Sequence, residues 1–147
     1  MAMHNDPNLA AFCAFYNKLD NTCTEKLYKV YTPDIEFHDP IHRLSGLAAL
    51  ERYFNGLYEN VTACHFEFHD QQRHADLAFV TWTMHLMHPR LAGGRQISVE
   101  GCSRLTFAAD GSGRVCRHRD YFDAGELLYE RLPLLGPVIR RIKRAAQ

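Results

Sequence analysis

The sequence predicts an α+β domain in which helices cover one face of a curved antiparallel sheet. Apolar residues recur at helical spacing in the N-terminal third, and the period changes to two between about residues 63 and 122. Glycine-rich turns separate the alternating segments. Because helices and strands form separate blocks, the sheet is expected to be antiparallel with helices on one face. A curled sheet closed by helices forms a cone whose mouth can admit a small molecule.

The whole chain, residues 1–147, is predicted to form one domain, because its length is close to the modal domain size. Its 17 basic and 17 acidic residues cancel, which argues against a nucleic-acid partner. No segment approaches the ~20 apolar residues that cross a bilayer, so we expect no membrane partner. The 5 cysteines form no CxxC pair and their number is odd. Reduced thiols, and therefore a cytoplasmic location, fit this pattern best.

Two helices are predicted at the N-terminus. Asp6 and Pro7 have the types expected of an N-cap and a first helical residue. The apolar residues that follow at helical spacing are Leu9, Phe12, Cys13, Tyr16 and Leu19. The capping-box pair Thr22 and Glu25 predicts a second, short helix that Pro33 ends.

Strands dominate the rest of the chain after one further helix. Residues 35–39 alternate before Pro40, and Gly46 precedes a helix with Leu47, Leu50, Phe54 and Leu57 on one stripe. Turn signals at residues 93–94 and 110–113 predict two hairpins. The residues predicted to face inward from the strands are Phe66, Phe68, Val80, Trp82, Met84, Leu86, Val99, Leu105 and Phe107. Asp123 and Glu126 predict a last, leucine-rich helix ahead of a basic tail.

Residues 16–19 and 31–40 resemble the first helix of the ketosteroid isomerases and their strand that ends in Asp-Pro. The chain is thereby identified as a member of the SnoaL-like, nuclear-transport-factor-2-like superfamily, which also includes limonene epoxide hydrolases and polyketide cyclases. The resemblance extends over nearly the whole chain and implies a cystatin-like cone. It implies that Tyr16 corresponds to an oxyanion-hole tyrosine and Asp39 to the general base. Ser103 takes the place of the second, protonated acid of the isomerases.

Residues 114–123 resemble the last strand of the limonene epoxide hydrolases, and Asp120 falls on one of their catalytic carboxylates. The arginine and second aspartate that those hydrolases need align with Trp82 and Met84, so the hydrolase triad is absent. We assign these two residues to the shape of the pocket wall. The resemblance is compatible with SnoaL-like cyclases, which use acid/base chemistry without a cofactor.

Strand alternation alone also indicates Asp120. It places Cys116, His118, Asp120 and Phe122 on one face of a strand, so Asp120 faces the core if Phe122 does. An anion in an apolar cone is destabilised unless a donor such as His118 or Tyr16 compensates, and such a carboxylate is suited to proton transfer.

Structural interpretations stand beside these functional ones. Asp39 before Pro40 is also typical of a turn former, Asp120 of a buried hydrogen-bond acceptor, and Tyr16 of a core residue. His65, Glu67 and His69 share one face of a strand, but the same alternation is typical of a solvent-facing surface, so we expect no metal.

We therefore expect a protein that binds a small organic ligand and isomerises or cyclises it without a cofactor. The predicted catalytic groups are Asp120, Asp39, Tyr16 and His118, and the predicted ligand contacts are Trp82, Met84, Ser103 and Phe122. Two alternatives remain open: a non-catalytic ligand-binding or sensory module, and a dimerisation domain with a filled cone. The outer face of the sheet is expected to form a homodimer. The basic tail is expected to close the cone or pack in that dimer, or alternatively to lie on a membrane.

Overall fold

The computed structural model describes residues 6–20, 24–125 and 136–146. Within them, three α-helices and six strands follow one another, with short 3₁₀ helices at Thr24–Lys29 and Ala92–Gly94. The helices are α1 (Pro7–Lys18), α2 (Leu47–Asn60) and α3 (Gly136–Ala145). The strands are β1 (Tyr31–His38), β2 (Arg43–Ser45), β3 (Ala63–His74), β4 (Leu77–Met87), β5 (Ile97–Phe107) and β6 (Val115–Phe122).

The six strands form one curved sheet in the order β2-β1-β6-β5-β4-β3. All neighbours pair antiparallel except β1 and β6, which are parallel. Helices α1 and α2 pack on the inner face, where buried side chains alternate with exposed ones along β4, β5 and β6. The predicted α+β fold, a curved sheet wrapped by helices, is confirmed.

The glycine-rich segments form the two hairpins that the sequence predicts, β4–β5 and β5–β6. Gly93, Gly94, Gly111 and Gly113 all have positive φ, which costs a residue without Cβ little. A third hairpin joins β3 to β4 through Ala75, whose φ is 52°. No glycine marks that turn, so the sequence gives no signal of its position.

The prediction that a second helix extends to Pro33 is wrong. The 3₁₀ helix ends at Lys29, and β1 already begins at Tyr31. Pro33 fits inside this strand because the pairing with β6 shifts its register between Tyr31 and Glu36, so the absent N–H interrupts no regular ladder. As a result Tyr31 lies on the inner face of the sheet and is completely buried.

The predicted N-cap of α1 is confirmed. The Leu9 N–H donates to Asp6 Oδ1 at 2.9 Å, and the Arg73 guanidinium reaches both carboxylate oxygens at 3.0 Å. Burial alone would raise the pKa of Asp6, but these donors hold it below its ordinary value. The pair fastens α1 to β3, so that the apolar stripe of α1 covers the inner face of the sheet.

Some expectations fall outside the described residues. They are the cap at Thr22 and the leucine-rich helix that Glu126 was predicted to open. In the described part of the chain, no helix has the length and the apolar character that crossing a membrane requires.

Candidate functional site

A cavity of about 490 Å³ lies between α2 and the inner face of the sheet. Its wall is mainly aromatic and aliphatic, with Tyr53, Phe54, Leu57, Trp82, Met84 and Phe122 among its residues. Three of these residues, Trp82, Met84 and Phe122, are among the predicted ligand contacts, and all three lie on the wall. The volume is that of a typical site for a small organic molecule. The cone is therefore hollow, and large side chains do not fill it.

Asp120 projects from β6 into this cavity wall, with its side chain 18% exposed. Its Oδ1 accepts a hydrogen bond from Ser103 Oγ at 2.5 Å, and lies 2.6 Å from His118 Nε2. Oδ2 accepts no hydrogen bond from any residue in the described ranges. One oxygen of the carboxylate is thus held in place while the other remains available to a ligand.

Three consecutive hydrogen bonds link Asp120 to Tyr16. His118 Nδ1 lies 2.6 Å from the Tyr31 hydroxyl, which in turn lies 2.5 Å from the Tyr16 hydroxyl. The middle of this relay, Tyr31 and His118, is almost fully buried, whereas Asp120 and Tyr16 both line the cavity. The two ends of one hydrogen-bond relay therefore face the same void.

Burial raises the pKa of Tyr16 well above its ordinary value, and the nearby carboxylate of Asp120 raises it further. The pKa of Tyr31 is raised as well, again mainly by burial. Both hydroxyls consequently keep their protons at neutral pH and can act as hydrogen-bond donors.

The relay has two possible directions. When Asp120 is ionised and His118 is neutral with its proton on Nε2, Nδ1 accepts from Tyr31, and Tyr31 accepts from Tyr16. When His118 carries protons on both nitrogens, Nδ1 donates to Tyr31, Tyr31 donates to Tyr16, and the Tyr16 O–H is free to donate elsewhere. The protonation state of His118 therefore determines whether Tyr16 presents a donor or an acceptor to a ligand.

Ser103 and His118 stand behind the wall. Ser103 is 5% exposed and lies directly opposite Asp120 in the register of β5 and β6. Its Oγ accepts from Trp82 Nε1 at 2.9 Å and donates to Asp120. Neither Ser103 nor His118 lines the cavity, so the structure gives both residues positions from which they orient Asp120 without touching a ligand.

Asp39 reaches the same cavity, but its carboxylate is already occupied. Oδ1 accepts from the backbone N–H groups of Ile41 and His42, at 2.8 and 2.6 Å. Oδ2 accepts from the Tyr53 hydroxyl at 3.0 Å, and Asp39 is 5% exposed. This is the arrangement of a turn former, which is the alternative interpretation of Asp39 before Pro40.

Two polar groups of the site were not predicted. Tyr31, the centre of the relay, falls within the second helix that Pro33 is predicted to end, and the structure places it in β1. The alternation of Tyr31 with Ile35 and Phe37 on one face was the signal that could have found it. Arg52 of α2 also lines the cavity, and nothing in its sequence surroundings distinguishes it from an exposed helical arginine.

The histidine-rich face of β3 carries exposed side chains at His65, Glu67 and His69. Across the residues that the structure describes, no three histidine, cysteine or acidic side chains are grouped closely enough to hold a metal ion. His85 bridges Glu67 and Ser98 by hydrogen bonds instead.

Residues 12–118 match the family model of the SnoaL-like domain. The chain belongs to this family. The predicted membership is confirmed, and with the open cavity it makes the chain a SnoaL-like protein with a small-molecule pocket. No curated protein sequence matches the chain significantly.

Solved structures share the fold of this SnoaL-like protein at low sequence identity. A protein assigned to the SnoaL-like polyketide cyclases, from Shewanella denitrificans, has 20% identity and a TM-score of 0.68, covering 83% of this chain and 95% of that one. A protein from Catenulispora acidiphila with a ketosteroid isomerase-like fold, in complex with trimethylamine, has 13% identity and a TM-score of 0.70, with coverages of 86% and 94%. TerC, co-crystallised with polyporic acid, has 17% identity and a TM-score of 0.66, with coverages of 80% and 92%.

Proposed function

We propose that this SnoaL-like protein binds an apolar, carbonyl-containing small molecule and isomerises or cyclises it by acid/base chemistry at Asp120, without a cofactor. The observation that carries the proposal is the state of the Asp120 carboxylate. One oxygen is fixed by Ser103 and His118, the other accepts no hydrogen bond from the described residues, and the residue lines a mainly apolar cavity. A positioned carboxylate with little competing water is suited to removing a proton from carbon.

In this mechanism, Asp120 Oδ2 takes a proton from the carbon next to the ligand's carbonyl group. The Tyr16 O–H donates to the carbonyl oxygen, on which negative charge develops, in the state of the relay in which His118 is doubly protonated. Asp120 then returns the proton at a different carbon. Alternatively, the enolate carbon attacks a second carbonyl carbon of the same molecule, the π bond of that carbonyl opens onto its oxygen, and this oxygen takes the proton back from Asp120 as the ring closes. Tyr31 and His118 act as positioning residues, since neither touches the cavity.

The ligands of the related structures support the choice of a small organic molecule. Trimethylamine in one protein of this fold and polyporic acid in another show that such proteins are found with organic compounds. The mainly apolar wall here, with Trp82 and Phe122, favours a largely apolar ligand.

Proton exchange tests the proposal without knowledge of the natural substrate. Incubating the protein in D₂O with a panel of cyclic ketones, 2-tetralone among them, allows exchange of the protons next to the carbonyl to be followed by proton NMR. The wild type is expected to accelerate exchange of at least one ketone. Met84→Trp, which fills the cavity from β4, is expected to abolish that acceleration. Tyr28→Trp, at an exposed residue that does not line the cavity, is the matched control and is expected to leave it unchanged.

A non-catalytic ligand-binding module is the second candidate. The hydrogen bonds of Asp39 favour it, because Oδ1 already holds the turn and Oδ2 already accepts from Tyr53. Trp82 is the single tryptophan and lines the cavity, so its fluorescence reports binding. Ketones that change this fluorescence without any accelerated exchange would establish the second candidate and exclude the first.

We further propose that the protein is a cytoplasmic homodimer that associates through the outer face of its sheet. Phe79 of β4, 42% exposed on that face, supports an interface at the β3 and β4 side of the sheet, which leaves the outer face of β2, β1 and β6 open. A reducing compartment is supported by the free thiols of the four described cysteines, Cys13, Cys64, Cys102 and Cys116. Multi-angle light scattering is expected to give twice the mass of the chain, and a monomer mass would refute the dimer.

A further inference from the structure

A second groove, also of about 490 Å³, lies on the outer face of the sheet, away from the cavity that Asp120 lines. It is formed by β2, β1, β6 and β5. Four arginines line it: Arg43, Arg104, Arg117 and Arg119. Of the residues that line this groove, Glu36 is the single carboxylate. A chain with no net charge therefore concentrates positive charge at one place.

The strand register arranges this charge in a row. Arg119 of β6 is paired with Arg104 of β5 on one side and with His38 of β1 on the other, and His38 is paired with Arg43 of β2. The row crosses four neighbouring strands, a span of about 14 Å at the usual strand spacing. Arg117 stands in the next row, between Glu36 and Thr106.

No carboxylate of the described residues forms an ion pair with these guanidinium groups. In the part of the chain that the structure describes, none of the four arginines forms an ion pair, in contrast to Arg73, which is bound to Asp6. Glu36 accepts from Ser45 Oγ at 2.7 Å although it is the register partner of Arg117. Like charges directly opposite each other on paired strands are destabilising. The Arg104 and Arg119 pair is therefore a cost to the fold that an anion would remove.

We propose that this groove binds the phosphate groups of a polyphosphorylated small molecule. Guanidinium groups have a planar set of donors that matches phosphate oxygens, and adjacent arginines on paired strands, about 4.8 Å apart, can hold neighbouring phosphates of one ligand. Arg119 is already oriented by stacking on Tyr121, at 4.7 Å from the ring centre. The groove has the volume of a small-molecule site, and the site goes beyond the chemistry proposed at Asp120.

Calorimetric titration of the full-length protein with inorganic tripolyphosphate at low ionic strength tests the site. We expect one site per chain, with affinity at least about tenfold weaker in the double variant Arg104→Gln/Arg119→Gln. Arg90→Gln/Arg141→Gln removes the same charge from exposed positions elsewhere and is expected to bind as the wild type does. Absence of binding, or an equal loss in both double variants, would overturn the proposal. Adenosine triphosphate, as a second probe, distinguishes an organic phosphate from inorganic polyphosphate by its tighter binding.

Thermal unfolding gives an independent readout. Without anion, Arg104→Gln/Arg119→Gln is expected to melt at a higher temperature than the wild type, because it removes the charge repulsion. Tripolyphosphate is expected to raise the Tm of the wild type and not that of the variant. A double variant whose oligomeric mass differs from that of the wild type would instead assign the arginines to an interface between copies and refute the ligand site.

Discussion

The indole of Trp82 lies across Gly101, its register partner on β5, so closely that a Cβ at Gly101 would stand 2.2 Å from the ring. This placement lets Trp82 Nε1 reach Ser103, which in turn holds Asp120. A glycine on a central strand thereby determines where the carboxylate of Asp120 points.

Gly101→Ala is expected to displace the Trp82 ring and to lower the free energy of unfolding by about 1–3 kcal/mol, as overpacking usually does. Loss of the bond between Trp82 and Ser103 should also change the Trp82 fluorescence spectrum. Chemical denaturation and emission spectra measure both effects. Gly56→Ala is the control, because no atom within 4 Å meets a Cβ there and a helical alanine is favoured over glycine. A Gly101→Ala variant as stable as Gly56→Ala would contradict the close contact.

The raised pKa values of Tyr16 and Tyr31 predict a loss of stability in alkali. Above about pH 10, the unfolded chain releases tyrosine protons that the folded chain retains, so the free energy of unfolding falls as the pH rises. Each buried tyrosine contributes a slope of about 1.4 kcal/mol per pH unit. Urea denaturation at several alkaline pH values measures this slope, which Tyr16→Phe should reduce.

Tyr28→Phe, at a residue 53% exposed, serves as the comparison and is expected to leave that slope unchanged. A wild-type stability that does not depend on pH in this range would show that Tyr16 and Tyr31 ionise in the folded protein.

Asp39 is expected to act through its turn and not through proton transfer. Asp39→Ala removes the acceptor of the Ile41 and His42 N–H groups and should cost about 1–3 kcal/mol of stability. Asp39→Asn retains an acceptor oxygen and should keep both the fold and the ketone exchange rate. If Asp39→Asn folds normally but loses exchange, Asp39 is a second acid/base group, as the resemblance to the isomerases implies.

The periodicity of the sequence was sufficient to predict the fold and the face of β6 on which Asp120 lies. Alternation along β6 places Asp120 on the same face as Phe122, and the structure agrees. The relay could not be predicted in the same way, because it depends on distances between α1, β1 and β6 that no local pattern encodes. The role of Tyr31 was not predicted, because Pro33 indicates the end of a helix. Pro33 lies within a strand only because the pairing of β1 with β6 is irregular there.

The role of Ser103 also depends on tertiary geometry. Its type and strand position suggested a ligand contact, but its hydroxyl turns to Asp120, the residue opposite it on β6. For Asp39, the local Asp-Pro sequence was enough to predict a turn. Its position on the cavity wall could not be predicted locally, because it depends on how β1 packs in the folded protein.

The most direct test of the catalytic proposal compares ketone exchange in the wild type and in Asp120→Asn. The amide can still accept hydrogen bonds from Ser103 and His118, so the fold and the cavity should persist. We expect exchange to fall at least about a hundredfold while the Trp82 fluorescence titration shows unchanged affinity. Asp70→Asn, at an exposed position on β3, should match the wild type in both measurements. Undiminished exchange in Asp120→Asn would contradict the role assigned to this carboxylate.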